Sequence, residues 1–124
     1  MNRNPVGWFE IYVNDMERAK KFYEAVFAVT LQNLEMPEIE MWAFPMSNED
    51  LPGSAGSLIK MDGFEAGGNS TIVYFSCDDC AVEESRVEPN GGSIFKTKFS
   101  IGEHGFISLV FDTEGNMIGL HSMS

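Results

Sequence analysis

The sequence predicts an α+β fold of two βαβββ modules whose sheets lie side by side and curve around a shared cleft. Three observations lead there. A strand-like segment followed by an amphipathic helical segment opens the chain, and the same pair returns about half a chain later. Each time, three short apolar segments follow, separated by turn residues. Asp15 and Asp78 superpose the two halves at a spacing of 63 in a chain of 124 residues, which marks an internal duplication within one domain. Module 1 is expected at about 6–62 and module 2 at about 70–122. A sheet with one helix leaves a face uncovered, and two such faces can share a cleft.

The first strand is expected from Trp8 to Val13. Asn14 and Asp15 are good helix caps, and Glu17 stands three beyond Asn14 as in a capping box. From there Met16, Ala19, Phe22, Tyr23, Val26 and Phe27 recur at spacings of three and four, while Glu17 with Lys21 and Lys20 with Glu24 form pairs one turn apart on the other side. Ala28-Val29 follows with no helix-ending glycine, so that turn must close by other means. Short strands are then expected at Val29 to Leu34, Met41 to Met46 and Ser57 to Met61, with a turn over Asn48 to Gly53. The second half repeats the order. A strand from Thr71 to Cys77 meets caps at Asp78 and Asp79, then a helix to about Glu88 stops at Pro89-Asn90-Gly91-Gly92. Ser85 and Arg86 interrupt its apolar stripe. The last strands are expected at Ile94 to Phe99, Phe106 to Phe111 and Met117 to His121, with a Glu114-Gly115-Asn116 turn between the final two.

Eight Lys and Arg stand against nineteen Asp and Glu, for a net charge of -11, so nucleic acid is not an expected partner. The longest apolar runs fall far short of a membrane span, and the N-terminal segment lacks the features of a secretory signal, which makes the cytoplasm the expected location. No basic residue lies between Lys21 and Lys60, whereas Glu24, Glu35, Glu38, Glu40, Glu49 and Asp50 all do. Whatever that segment lines should disfavour anions. Cys77 and Cys80 form a Cys-Asp-Asp-Cys segment. Zinc would want a second ligand pair, and a redox motif would set its first cysteine at a helix start in a more electropositive setting.

The run from Trp8 to Phe27, WFEIYVNDMERAKKFYEAVF, resembles the opening of the vicinal oxygen chelate superfamily, which holds glyoxalase I, bleomycin-resistance proteins, fosfomycin-resistance enzymes and extradiol dioxygenases. Gly102-Glu-His-Gly-Phe-Ile107, Phe111-Asp-Thr-Glu-Gly-Asn116 and Ile118-Gly-Leu-His-Ser122 are similar to its glyoxalase/bleomycin-resistance/dioxygenase-like branch. The resemblance implies the paired-module fold and, in metal-dependent members, a divalent ion held by His, Gln or Glu. The matching positions here are Trp8, Ile72 and Gly119, with Gly56, Ser57 and Leu58 on the first module's fourth strand. None supplies such a ligand, so no metal or other cofactor is expected, a displaced divalent metal being the alternative.

Strand alternation places Phe9, Ile11 and Val13 toward the helix and Trp8, Glu10 and Tyr12 toward the cleft. It also turns Ile72, Tyr74, Ser76, Met117, Gly119 and His121 to the cleft. Glu10 and His121 are therefore the candidate catalytic pair. Trp8, Tyr12, Trp42, Tyr74 and His104 are the candidate ligand-binding residues, aromatic side chains being suited to planar or cationic groups. Three functions stay open: a metal-independent binder of a neutral or cationic small molecule; a lyase, isomerase or dioxygenase using a displaced metal or a Glu10/His121 acid-base pair; and an interaction module. The resemblance also implies a homodimer as one arrangement, which the sequence does not decide.

Overall fold

A computed structural model describes residues 5–46 and 53–124. It contains two four-stranded sheets of the same design. In the first, β1 (Trp8–Tyr12) pairs in parallel with β4 (Ala55–Lys60), which continues antiparallel to β3 (Glu40–Ala43) and β2 (Gln32–Asn33), in the order β1-β4-β3-β2. In the second, β5 (Tyr74–Ser76) pairs in parallel with β8 (Met117–Ser122), then come β7 (Phe106–Phe111) and β6 (Ser93–Ser100), in the order β5-β8-β7-β6. Helix α1 (Met16–Phe27) follows β1 and helix α2 (Cys80–Val87) follows β5. The duplicated βαβββ architecture is thus observed.

Asp15 caps α1 through its side chain, which accepts from the Arg18 N–H. The capping box expected at Asn14 and Glu17 is not used, because Asn14 Oδ1 instead accepts from the Ala66 N–H. Met16, Ala19, Phe22, Tyr23 and Val26 are buried, as their spacing requires. The helix ends on Ala28 in the left-handed region at φ 53°, and the Leu31 N–H beyond it donates to Glu24 Oε2. This holds a non-glycine residue where a Cβ is unfavourable. In module 2 the cap is Asp79, not Asp78, so the helices superpose one position further apart than the sequence spacing implies. Arg86, which breaks the stripe of α2, donates to the Val26 carbonyl at the C-terminal end of α1 and so joins the helices.

Two strands lose most of their expected length. Of Val29 to Leu34 only Gln32–Asn33 pairs as a strand, since Glu24 takes the Leu31 N–H and Glu35 turns to φ 50°. Of Thr71 to Cys77 only Tyr74–Ser76 does, since the Asn69 side chain takes the Thr71 carbonyl. The third expected strand begins one residue earlier and ends at Ala43, and the turn over Asn48 to Gly53 lies outside the described residues except for Gly53.

One core serves both modules. Phe75 of β5 lies among Phe9, Tyr23, Phe27 and Phe44 of module 1, with centroids 4.3 Å from Phe27 and 6.0 Å from Phe9. The β7–β8 turn then ties the modules by hydrogen bonds. Asp112 Oδ1 accepts from the Glu114 and Asn116 N–H groups, and Oδ2 accepts the buried Tyr23 hydroxyl at 2.6 Å. Asn116 donates to the Tyr12 carbonyl and accepts from the Gly67 N–H. The buried Glu114 carboxylate accepts from the Asn14 and Asp15 N–H groups at the start of α1, from Thr113, and from Arg18 at 2.7 and 3.0 Å. Burial pushes the Tyr23 phenol well up, with the Asp112 charge adding to it.

Burial alone would raise the Glu114 carboxyl, but Arg18, the two N–H groups and Thr113 outweigh it and hold it at about 2. A carboxyl depressed on folding stabilises the protein above its unfolded pKa, and this contribution is lost as pH falls from about 4.5 toward 2. Glu114→Gln, which sets an amide N–H₂ among donors, is expected to cost about 2–3 kcal/mol at neutral pH and to flatten that acid limb in denaturant melts. Ala28→Gly is expected to stabilise by about 0.5–1 kcal/mol, because relief of left-handed strain exceeds the added chain entropy.

Candidate functional site: a cleft along the seam of the two sheets

The two parallel pairings make β1 and β5 the edge strands that face each other. Glu10–Tyr12 share a depression with Glu65–Gly67 and Asn116–Ile118, whereas Trp8–Glu10 share another with Thr71–Ser76, so the two strands run antiparallel. Alternation then divides the side chains by face. Ile11 and Val13 are buried in the core with Phe9 packed against it, and Trp8, Glu10 and Tyr12 lie on the opposite face. On β5, Phe75 enters the core while Ile72, Tyr74 and Ser76 stand on the open side; Tyr74 is 47% and Trp8 37% exposed.

Three connected depressions follow the seam. The largest, about 700 Å³, is walled by Val6, Trp8, Ile72 and Tyr74, and among the described residues Glu10 is its only charged lining residue. At the β1 C-terminal end it meets a second of about 470 Å³, sharing Glu10, Thr71 and Val73 and adding Glu65 and Asn69 from the segment that joins the modules. At the other end it meets a third of about 350 Å³, sharing Tyr74 and Ser76 and adding Ile101, Ile107 and His121. Volumes of this order suit small organic ligands.

Glu10 occupies the middle of this trough, where its Oε2 accepts from the Trp8 indole N–H at 3.3 Å. Tyr12 stacks on Phe64, centroids 5.5 Å apart, and lines the second depression. His121 lines the third, and its Nε2 meets the His104 carbonyl at 2.7 Å. A carbonyl only accepts, so Nε2 carries the proton. Glu10 and His121 therefore stand in different depressions, each with its own hydrogen-bond partner, and do not form a pair in this structure. Two candidate placements need correction. Trp42 does not face the cleft: it lies opposite the buried Leu58, packs against the core and carries the Lys20 ammonium 3.5 Å above its ring. The His104 ring projects from the 3₁₀ turn Gly102–His104, with its side chain 77% exposed, and only its carbonyl serves the cleft through His121. Ile101, Ile107, Glu65 and Asn69 line the trough without having been singled out. For Ile107 a signal existed, since β7 reads Phe-Ile-Ser-Leu-Val-Phe and is apolar on both faces.

The residues do not fit the divalent metal that the resemblance implies for metal-dependent relatives. Trp8, Ile72 and Gly119 bring no ligand atom from their side chains. Ser57 Oγ is buried and unpartnered among the described residues, but one hydroxyl is a poor substitute for carboxylate or imidazole. Among the described residues no three His, Cys, Asp or Glu side chains converge. The Gly119 position is closed in another way, because a Cβ built there would clash with the Tyr74 ring.

The cysteines also depart from a redox arrangement. Cys80, the second of the pair, is the residue that opens α2, and it is buried. Burial pushes the Cys77 thiol up to about 12, and the Glu83 charge adds to it. Cys77 is therefore expected to react with a thiol reagent at pH 7–8 on the order of 100-fold more slowly in the native protein than in denaturant. Comparable native and denatured rates would contradict this assignment.

Comparison with known proteins agrees with this geometry. Residues 6–42 match the family model described as bleomycin resistance protein-like N-terminal. Among solved structures, TnmS3, an antibiotic binding protein from Streptomyces sp. CB03234, superposes with a TM-score of 0.70 at 24% identity, over 100% of this chain and 99% of that one. Glyoxalase I from Zea mays superposes with a TM-score of 0.76 at 21% identity, over 95% of this chain and 46% of that one. The Mycobacterium tuberculosis protein named "Putative glyoxylase CFP32" is 23% identical over 129 residues, covering 92% of this chain. The chain spans about half the length of the curated relatives it matches, 44% of each. The solved structures show that the paired βαβββ modules are a shared fold, and the N-terminal family match and the curated relative support the resemblance to the glyoxalase/bleomycin-resistance/dioxygenase superfamily. No helix among the described residues is long and apolar enough to cross a membrane.

Proposed function

We propose that the protein binds a neutral or cationic small molecule in the seam cleft, without the metal centre of the metal-dependent relatives. The observation that carries this reading is the composition of the main depression, whose walls are mostly apolar or aromatic with the hydroxyls of Ser54, Thr71 and Ser76, and in which Glu10 is the one charged residue among the described residues. A carboxylate among low-dielectric walls attracts an ammonium or a hydrogen-bond donor and repels an anion. Trp8, Tyr12 and Tyr74 offer ring faces to planar or cationic groups. A known antibiotic binding protein of the same fold supports a binding role, although the likeness is one of fold. Binding rather than acid-base catalysis is favoured because Glu10 and His121 sit in separate depressions.

A thermal-shift series on the purified protein with cationic, neutral and anionic aromatic compounds tests this reading. Cationic and neutral ligands at about 100 times their Kd are expected to raise the Tm by roughly 10 °C, anionic ones of the same size not at all. Trp8→Ala should weaken every shift, whereas Glu10→Gln should weaken those of cations alone. Failure of all compounds, or equal shifts by anions, would overturn the proposal. Elemental analysis is expected to find no stoichiometric Ni, Zn, Fe or Mn, and one tightly held ion per chain would overturn the metal-free part.

A further inference from the structure

Resting on the small-molecule reading above, we infer that Gly119 is a specificity-determining position: its missing side chain lets the Tyr74 ring lie against β8 as a stacking platform, which commits the cleft to a planar cation. The inference starts from a contrast between the modules. Each parallel strand pair sets an aromatic ring against a glycine of the neighbouring strand, Phe9 against Gly56 and Tyr74 against Gly119. In module 1 packing explains the arrangement, because Phe9 turns inward and meets Phe44 and Phe75 at 5.6 and 6.0 Å. In module 2 it does not. Tyr74 turns outward, is 47% exposed, and has no aromatic partner and no side-chain hydrogen bond among the described residues.

A glycine inside a strand loses backbone entropy on folding and packs nothing of its own, and it commonly marks a close approach by another group. Here the approaching group is the Tyr74 ring, whose other face is left toward the cleft. The ring also stands where two depressions meet, since Tyr74 lines both the 700 Å³ space holding Trp8 and Glu10 and the 350 Å³ space holding His121. A flat ligand stacked on Tyr74 would reach toward Glu10, the one carboxylate of the main depression among the described residues, across the seam. The ligand class that satisfies both features is an aromatic or heteroaromatic ring system bearing an amine or ring-nitrogen cation. At the position where metal-dependent relatives would place a carboxylate ligand, this chain has a ring in its stead, so Gly119→Glu would displace Tyr74 rather than restore a metal site.

The test uses 9-aminoacridine as a planar cation, 1-adamantanamine as a non-planar cation and anthracene-9-carboxylate as a planar anion, with Kd measured by calorimetry on the full chain. Wild type is expected to bind 9-aminoacridine at least about tenfold more tightly than either comparator. Gly119→Ala, which pushes the ring off β8, and Tyr74→Leu, which removes it, are each expected to weaken that binding about tenfold or more, while Tyr74→Phe stays within about twofold. Ligand-free melts of the three variants identify any that fail to fold, and Tyr74→Leu and Tyr74→Phe decide the matter if Gly119→Ala does. Equal affinity of Tyr74→Leu and wild type, or preference for 1-adamantanamine, would overturn the platform while leaving the binding reading in place. Failure of all three probes, together with failure of the wider compound series, would overturn both.

Discussion

The Glu114 carboxylate is the contact on which the relation between the two halves depends. It sits on the last turn of module 2 and receives the Asn14 and Asp15 N–H groups just ahead of α1, the Arg18 guanidinium and the Thr113 hydroxyl. A buried carboxylate is tolerated only when donors replace its lost water, and these donors come mainly from the other module. Asp112 extends the same logic inward. It organises its own turn through two N–H groups and reaches across to Tyr23 in the core of module 1. The clasp is satisfied only when β1, α1 and the β7–β8 turn stand in one arrangement.

That arrangement creates the cleft. With the clasp at one end and Phe75 inserted into the aromatic core of module 1, β1 and β5 are held edge to edge without hydrogen-bonding as strands. Their core-facing residues are consumed by packing, and their alternate residues have nowhere to go but the open face. Trp8, Glu10 and Tyr12 from one strand and Ile72, Tyr74 and Ser76 from the other thus meet across a seam. The scaffold is a fold shared with other chemistries, and what this chain sets along its seam is Trp8, Tyr12 and Tyr74 with Glu10 between them, a lining that the proposed recognition of an organic ligand would use.

Much of this was legible in the sequence where the governing signal is local. The three-and-four spacing in α1 and the alternation in β1 each place side chains through a period of the backbone, and both agree with the observed burial. Trp42 escaped because the face of a short strand depends on its register against β4, which its own residues do not encode. His104 escaped for another reason, since its contribution is a carbonyl and not its imidazole. Glu114 and Asn116 read as plain turn residues because their partners, Arg18, Asp15 and Tyr12, lie roughly a hundred positions earlier. The Tyr74–Gly119 contact was half visible, with both residues on the expected face and their mutual accommodation apparent only in three dimensions.

The central claim is that the clasp fixes the modules, and thereby the seam, as cooperatively as the core itself. Native-state amide hydrogen exchange at Asn14 and Asp15 tests it most directly, because the partner of both N–H groups is the Glu114 carboxylate of the other module. Exchange as slow as that of the buried Leu120 amide in β8, with the same denaturant dependence, is the expected result. Exchange at the rate of an exposed loop while Leu120 stays protected would mean that the modules part without unfolding, and would contradict the account.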